Sequence, residues 1–217
     1  MKKIGFLFDL DGVIVDTAKY HYLAWKDLAE ELSIPFTPKD NELLKGVSRI
    51  RSFEIILELG NREMSMEEKQ AYCTKKNDVY LSYIDRLRKD EVLPGADAFL
   101  KASKEAGIGV ALGSASKNAP RILRKLELTE LFDAIIDGTV VSSAKPDPEV
   151  FVKGAAALGL ENCDCIVFED SVAGIEAAHA GGMKAVGVGR KEDLPEADCW
   201  ISGFDGLNPE DILRMLD

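Results

Sequence analysis

Five short apolar runs constrain the fold of this 217-residue chain more than any other feature. Runs of this length without polar alternation are typical of strands buried on both faces of a parallel sheet. Segments with helical periodicity separate most of them, and the last such segment ends at Gly181-Gly182, a common helix stop. This alternation of strands and helices therefore predicts an open, mostly parallel sheet of the α/β class. The predicted strands are Ile4–Phe8, Ile108–Leu112, Ala134–Ile136, Cys165–Phe168 and Ala185–Val188, and the clearest helices are Pro120–Leu126, Glu149–Leu158 and Val172–Ala180.

About a hundred residues separate the first predicted strand from the second, far more than one crossover helix needs. Within them, Trp25, Leu28, Ala29 and Leu32 share one face of a helix. Pro94-Gly95 marks the return to the sheet. The expected fold class is α/β, an open parallel Rossmann-like sheet core with an inserted α-helical cap domain. The expected domains are a core of residues 1–16 and 90–217 and a cap of residues 17–89.

The charge balance excludes several kinds of partner. A formal net charge of -11 and a pI near 4.8 argue against nucleic acid and anionic membranes, which are bound by clustered Lys and Arg. No apolar run approaches the length of a membrane span, and the start of the chain does not resemble a signal peptide. We expect a protein that is cytoplasmic and monomeric. Its four cysteines lack paired metal-binding spacing, and we therefore expect them to be reduced structural thiols.

The strongest chemical signal is the end of the first predicted strand, where Asp9 and Asp11 flank one apolar residue and Gly12 follows. Ligand sites in open α/β sheets lie just outside the carboxyl ends of the strands. The alternative is purely structural, with the two carboxylates capping a turn for which Gly12 supplies a positive φ angle. The pattern of this segment alone leaves both interpretations open.

Three further strand ends carry polar groups in a similar position. Ser114 follows the second strand and leads into Ala115-Ser116-Lys117-Asn118, which offers hydroxyl, amide and ammonium groups to an anion. Lys145 stands in a loop stiffened by two prolines, and Glu169-Asp170 ends a fourth strand. A Ser helix cap, a solvated Lys and a capping Asp are the structural alternatives.

The order of these groups resembles the haloacid dehalogenase-like superfamily, whose four motifs are Asp-x-Asp, Ser or Thr, Lys and an acidic pair, each at a strand end. The resemblance spans nearly the whole chain. It implies that Asp9 is the nucleophile that carries the phosphoryl group and that Asp11 is the general acid and base. Ser114 and Lys145 complete the implied catalytic set.

The same resemblance implies a magnesium site, since Mg²⁺ prefers oxygen ligands and is commonly held by carboxylates and substrate phosphate. Asp9 and Asp170 would give side-chain oxygens, Asp11 would give its backbone carbonyl, and Glu169 would support these ligands. The implied cofactor is therefore Mg²⁺.

Within the inserted segment, Lys45-Gly46-Val47-Ser48-Arg49 joins two predicted helices; on spacing alone it could equally be a turn with solvated charges. This loop is similar to the cap loop of the β-phosphoglucomutase family. The resemblance implies a hexose phosphate and its bisphosphate as substrates, with the phosphate that is not transferred held by Arg49 and by residues after the second strand. It also implies a relay of His21 and Lys76 that couples cap closure to Asp11. The implied substrate-binding residues are Thr17, His21, Trp25, Lys45, Gly46, Val47, Ser48, Arg49, Lys76, Ala115, Ser116, Lys117 and Asn118.

Several functions remain open after this comparison. The favoured one interconverts β-glucose 1-phosphate and glucose 6-phosphate through a bisphosphate. A sugar-phosphate phosphatase on the same fold would use water instead of a second sugar hydroxyl. A dehalogenase is disfavoured because it needs neither an acid and base at Asp11 nor phosphate ligands, and a non-enzymatic cation-binding or regulatory module is a remote alternative.

Overall fold

A computed structural model describes residues 3–44 and 48–216 of the chain. The chain divides into two compact units. The core unit comprises Met1–Asp16 and Arg88–Asp217, and the helical unit comprises Thr17–Leu87. The expected domain boundaries lie within two residues of the boundaries between these units. That the helical unit acts as a cap over the active site stays a prediction.

A six-stranded parallel sheet forms the centre of the core unit, in the order β3-β2-β1-β4-β5-β6. β1 is central: the chain first adds β2 and β3 on one side of it and then adds β4, β5 and β6 on the other. In open α/β sheets, such a reversal of strand order gives a crevice at the carboxyl ends of the strands on either side, here β1, β2 and β4. The strands are β1 (Gly5–Phe8), β2 (Gly109–Gly113), β3 (Ala134–Ile136), β4 (Cys165–Glu169), β5 (Lys184–Val188) and β6 (Cys199–Ile201).

Helices cover both faces of the sheet, because successive side chains of a strand point to opposite faces. Phe6 and Phe8 of β1 pack on one face against Phe99 and Phe168, with the Phe8 and Phe168 ring centres 4.6 Å apart. Leu7 packs on the other face in a second, aliphatic cluster. The helices of this unit are α5 (Ala96–Glu105), α6 (Ala119–Lys125), α7 (Glu149–Leu158), α8 (Val172–Ala180) and α9 (Pro209–Leu216).

The helical unit has its own apolar core, in which Trp25, Leu28 and Phe53 are buried. Ser65 begins the longest helix with a capping box, since its hydroxyl accepts from the Glu68 N–H while the Glu68 carboxylate accepts from the Ser65 N–H. The helices of this unit are α1 (Ala18–Glu31), α2 (Pro38–Asn41), α3 (Arg49–Leu59) and α4 (Met66–Ile84).

The predicted fold class, a parallel α/β sheet with an inserted helical segment, is confirmed. The predicted strand Ala134–Ile136 forms with the expected bounds, and the other four predicted strands form with shifts of one residue at one or both ends. β6 and α9 were not predicted. Among the described residues, no helix is long and apolar enough to cross a membrane.

Candidate active site

The site lies where β1, β4 and β2 end. Asp9 follows β1 directly, and its N–H donates to the carbonyl oxygen of Phe168 at 3.0 Å, so the β1–β4 pairing extends to this residue. Glu169 is the last residue of β4, and Ser114 follows β2. Asp9, Ser114 and Glu169 are all buried. The parallel sheet thus brings the predicted residues of three strand ends to one edge.

A tight turn after β1 brings Asp170 close to the backbone at Gly12. Gly12 has a φ of 81°, a conformation that L side chains rarely adopt, and its N–H donates to the Val15 carbonyl at 2.8 Å. A Cβ at this position would lie 2.0 Å from Oδ2 of Asp170. Glycine is therefore required both by the turn and by the approach of the Asp170 carboxylate.

Lys145 joins two of the acidic strand ends. Its Nζ donates to Oδ1 of Asp9 at 2.5 Å and to Oε1 of Glu169 at 2.6 Å. The ammonium also lies 4.7 Å from the centre of the Phe151 ring, which supports it by a cation–π contact. Burial alone would lower the pKa of Lys145, but the charges of Asp9 and Glu169 outweigh it and raise that pKa above its usual value. Lys145 is therefore a fixed positive charge.

Glu169 has partners for both of its carboxylate oxygens. Oε1 accepts from Lys145, and Oε2 accepts from the N–H and the hydroxyl of Ser171, each at 2.8 Å. The first turn of α8 passes so closely that a Cβ on Gly174 would lie 1.9 Å from the Glu169 carboxyl carbon. These contacts suit a residue that supports the site, the part predicted for Glu169.

The remaining carboxyls of the site repel one another. Burial and then the charge of Glu169 raise the pKa of Asp9 to about 6, with Lys145 opposing. Burial, Asp9 and Asp170 raise the pKa of Asp11 well above its usual value. Asp170 is solvent-exposed, yet partial loss of water and the charges of Glu169 and Asp9 raise its pKa to about 7. The ammonium group of Lys145 opposes the rise in pKa at all three of these carboxyl groups.

This donor set fits a divalent cation, which would relieve the repulsion and prefers hard oxygen ligands. Among residues 3–44 and 48–216, no three His, Cys, Asp or Glu side chains group to hold a metal ion by themselves. The predicted magnesium ligands do not form such a group of three side chains, because Asp11 was expected to contribute its backbone carbonyl. Glu169 was expected only to support the ligands, and its carboxylate is bonded to Lys145 and Ser171. Two side chains, Asp9 and Asp170, and one carbonyl would then leave positions for substrate oxygens and water.

The loop after β2 presents polar groups around Ser114. The Ser114 Oγ accepts from the Ser116 N–H at 3.1 Å, and the Ser116 Oγ accepts from the Asn118 N–H at 3.3 Å. Ala115 and Lys117 are exposed, and Asn118 precedes α6. A Cβ on Gly138 would lie 2.1 Å from the Ala115 carbonyl oxygen, so the loop packs directly on the backbone after β3.

His21 and Lys76 meet within the helical unit. Nζ of Lys76 and Nδ1 of His21 are 2.8 Å apart, and the His21 ring stacks on Tyr80 at 4.2 Å. Lys76 is almost fully buried, and its ammonium lies 4.8 Å from the Trp25 ring centre. Burial, followed by the charges of Lys76 and Arg49, lowers the pKa of His21 well below its usual value. A neutral His21 thus accepts a hydrogen bond from a charged Lys76.

The other predicted residues of the helical unit that the structure describes are Thr17, Trp25, Ser48 and Arg49. Arg49 begins α3 and donates from Nη2 to Oδ1 of Asn77 at 2.9 Å, while Ser48 caps the same helix. Thr17 precedes α1 and accepts helix hydrogen bonds through its carbonyl. Trp25 is 4% exposed and stacks on Phe53, so it serves mainly as core. Lys45, Gly46 and Val47 lie outside the described residues.

Sequence reasoning missed several residues that support the predicted ones. Ser171, Gly174 and Phe151 contact Glu169 or Lys145 directly. Ser171 could have been recognised from the sequence as a helix cap, since Ser is a common cap residue and Ser171 directly precedes α8. In the structure its Oγ accepts from the Gly174 N–H. The close approach of Gly174 and the ring beneath Lys145 depend on tertiary packing and leave no local signal.

The His21 environment gives a prediction for pH. The His21 ring should stay neutral well below pH 6.5, the value of an unperturbed His, and Lys76→Met should raise its pKa by removing a like charge. Because the unfolded chain takes up the proton first, this residue should reduce stability as pH falls below about 6.5. Ring nitrogen shifts in an NMR titration measure the pKa. A His21 midpoint at or above 6.5 would contradict the described environment.

Comparison with known proteins adds an independent observation. The model of a hydrolase family, the haloacid dehalogenase-like hydrolases, matches residues 5–182. The β-phosphoglucomutase of Bacillus subtilis strain 168 is 45% identical over 206 residues, which cover 94% of this chain and 91% of that protein. The fructose-1-phosphate phosphatase YqaB of Escherichia coli K12 is 32% identical and the alignment covers 85% of this chain and 95% of the relative.

A solved structure agrees in fold over the whole length. The crystal structure of β-phosphoglucomutase (pgmB) from Clostridium difficile superposes with a TM-score of 0.90 at 41% identity, covering 99% of this chain and 97% of the other. Since the family model spans most of the chain and includes the strand ends that carry Asp9, Ser114, Lys145 and Glu169, this chain belongs to the haloacid dehalogenase-like hydrolase family.

Proposed function

We propose that this enzyme transfers a phosphoryl group through Asp9 and interconverts β-glucose 1-phosphate and glucose 6-phosphate. The observation that carries the proposal is the bridge formed by Lys145, whose ammonium binds Asp9 and Glu169 at the edge of the sheet where ligands bind. A carboxylate nucleophile must approach an anionic phosphoryl group, and a fixed cation beside it reduces that repulsion. The similarity to β-phosphoglucomutases selects the sugar.

The proposed cycle has two transfers. In the first, an Asp9 oxygen bonds to phosphorus of β-glucose 1,6-bisphosphate, the bond to a sugar oxygen breaks, and Asp11 gives that oxygen a proton. In the second, a hydroxyl of glucose phosphate loses its proton to Asp11 and attacks the aspartyl phosphate, which restores Asp9. The position of Asp11 two residues after Asp9, on the turn held by Gly12, suits this exchange.

We propose Mg²⁺ as the cofactor, with Asp9, Asp170 and the Asp11 carbonyl as ligands and Glu169 as their support. When bound, the ion would neutralise charge on the phosphoryl oxygens and orient them. The chain's own contribution is to hold Lys145 and the carboxylates in place. Ser114, buried beside the site with its hydroxyl turned to the following loop, would orient a phosphoryl oxygen.

The phosphate that is not reacting needs its own site, since a bisphosphate must release one end and rebind by the other. We propose that Ser116, Lys117 and Asn118 bind the phosphate that is not reacting. We propose Arg49 as a further phosphate-binding residue. The planar guanidinium of Arg49 suits bidentate phosphate binding, and its hydrogen bond to Asn77 restrains it. Hexose phosphates and bisphosphates are thus the proposed small-molecule partners; the expected monomer and cytoplasmic location stay predictions.

Arg49→Ala should reduce kcat/KM for hexose phosphate by a factor of about 30 to 1,000, the scale of a lost charge-assisted contact of roughly 2–4 kcal/mol. Hydrolysis of p-nitrophenyl phosphate should change little, because that substrate has no second phosphate. Arg51→Ala is the matched control, since Arg51 lies two residues away and pairs with Glu58. Equal losses for both substrates would make Arg49 structural.

A phosphatase is the second candidate, favoured by the similarity to the fructose-1-phosphate phosphatase of Escherichia coli. Incubation with β-glucose 1-phosphate, Mg²⁺ and a trace of the 1,6-bisphosphate separates the two functions. Phosphorus NMR should show glucose 6-phosphate as the main product. Inorganic phosphate as the main product would replace the mutase by the phosphatase.

A further inference from the structure

We propose that Glu149 is a positioning residue that fixes the loop carrying Lys145, and thereby the ammonium group that bridges Asp9 and Glu169. The inference rests on the proposed role of Lys145 in phosphoryl transfer, and it adds to that proposal a residue that touches neither substrate nor metal ligand. Glu149 is the first residue of α7, four positions after Lys145.

One carboxylate oxygen of Glu149 gathers three donors from the loop. Its Oε2 accepts from the Ser142 N–H at 2.7 Å, the Ser142 hydroxyl at 2.8 Å and the Ser143 N–H at 2.8 Å. Hydrogen bonds to an ionised acceptor are shorter and stronger than neutral ones. The backbone two and three residues before Lys145 is therefore tied to the start of a helix.

The other oxygen of Glu149 is held from the helix itself. Oε1 accepts from Nζ of Lys153 at 2.6 Å, one turn along α7. Donation by Lys153 and then by the Ser143 and Ser142 groups lowers the pKa of Glu149 to about 2, so the carboxylate stays charged near neutral pH. A charged acceptor on a regular helix gives the loop a rigid reference point.

The first turn of α7 fixes Lys145 in two further ways. The Glu149 N–H donates to Oδ1 of Asp147 at 2.9 Å, which closes the loop on the other side of Lys145. Phe151, two residues after Glu149, is fully buried and carries the ring beneath the Lys145 ammonium. The loop ends on both sides of Lys145 and the floor under its ammonium therefore depend on the same turn.

The anchoring by Glu149 matters because the loop that carries Lys145 is not held by the backbone hydrogen bonds of a helix or strand. Among the described residues, 138–148 belong to no helix or strand, and Ser142 and Ala144 are exposed. A Lys side chain has many rotamers, so its bridge to Asp9 and Glu169 requires a fixed backbone. Displacement of a catalytic group by about 1 Å can cost on the order of a hundredfold in rate.

The test measures p-nitrophenyl phosphate turnover and backbone hydrogen exchange in three variants. Glu149→Ala should lower kcat about 10- to 100-fold with little change in KM, and should speed amide exchange of Ser142 and Ser143 at least about tenfold. Glu149→Gln should lose less, since its amide oxygen can still accept from the serine amides. Lys101→Met, the matched control, removes a surface lysine from an equivalent i,i+4 pair with Asp97 on α5 and should stay within about threefold of wild type.

A Lys145→Met background separates positioning from general damage. If Glu149 acts through Lys145, Glu149→Ala should cause no further loss of kcat there, because residues that act as a unit are not additive. A loss of the same factor in both backgrounds, or unchanged exchange of Ser142 and Ser143 in Glu149→Ala, would overturn the inference. Exchange needs no turnover, so this result is independent of whether the enzyme is a mutase or a phosphatase.

Discussion

Asp9→Asn is expected to abolish phosphoryl transfer, with a loss in kcat of about 10⁴-fold or more, while the fold survives. Loss of a covalent nucleophile typically costs several orders of magnitude. Ser114 and Glu169 also lie at the strand ends, but a serine alcohol lacks negative charge, and Glu169 is bonded to Lys145 and Ser171. Neither can replace the Asp9 carboxylate as the group that accepts phosphorus.

The measurement is kcat with β-glucose 1-phosphate and with p-nitrophenyl phosphate, combined with a thermal unfolding midpoint. Asp97→Asn is the control, because Asp97 is a helix carboxylate whose partner is Lys101 at 3.2 Å, a surface pair of small energetic effect. The control should retain nearly full activity. More than about one per cent of wild-type activity in Asp9→Asn would remove Asp9 as the nucleophile.

Gly174→Ala is expected to reduce kcat by about a hundredfold or more, although the same change usually stabilises a helix. Alanine in a helix interior is favoured over glycine by roughly 0.5–1 kcal/mol. Here a Cβ would lie 1.9 Å from the carboxyl carbon of Glu169, which is 1% exposed and cannot turn towards solvent. The carboxylate must move, and Lys145 loses one of its two partners. A displacement near 1 Å at a catalytic group carries a penalty of this size.

Gly181→Ala is the matched control for this prediction. Gly181 ends the same helix with a φ of -78°, and its added Cβ would lie 3.3 Å from the Pro148 Cβ, so that its neighbours would need to shift by only a few tenths of an ångström. Steady-state kinetics of both variants, at equal folded fraction by circular dichroism, make the comparison. Wild-type kcat in Gly174→Ala would show that Glu169 does not need its described position.

Strand ends explain why the clustering of Asp9, Ser114 and Glu169 at one edge of the sheet was predictable, while their roles stay predictions. Asp9, Ser114 and Glu169 follow or end apolar runs, and parallel pairing places the ends of neighbouring strands at one edge. The starts of β1 and β2 lie one residue later than predicted, because Gly5 and Gly109 form the first pair of the ladder and Ile4 lies outside it. A local pattern cannot fix such register.

Other parts of the molecule had no such local signal. β6 has three residues at the edge of the sheet, too few for a periodic pattern, and α9 follows it on a strongly amphipathic segment that was not recognised. The support that Glu149 and Gly174 give to Lys145 and Glu169 depends on distances between separate elements. Helical spacing alone could not decide whether Trp25 belongs to the core or lines a substrate site. The structure shows that its side chain is buried in the core of the helical unit.

The most direct test of the central account follows the phosphoryl group itself. Enzyme phosphorylated with radioactive β-glucose 1,6-bisphosphate is separated from sugar and mixed with unlabelled β-glucose 1-phosphate and Mg²⁺, and the label in sugar phosphates and in inorganic phosphate is counted. The account predicts that the label appears mainly in glucose bisphosphate and glucose 6-phosphate, and that Asp9→Asn acquires no label. Release of the label mainly as inorganic phosphate, at the same rate with and without sugar, would contradict transfer to a sugar hydroxyl.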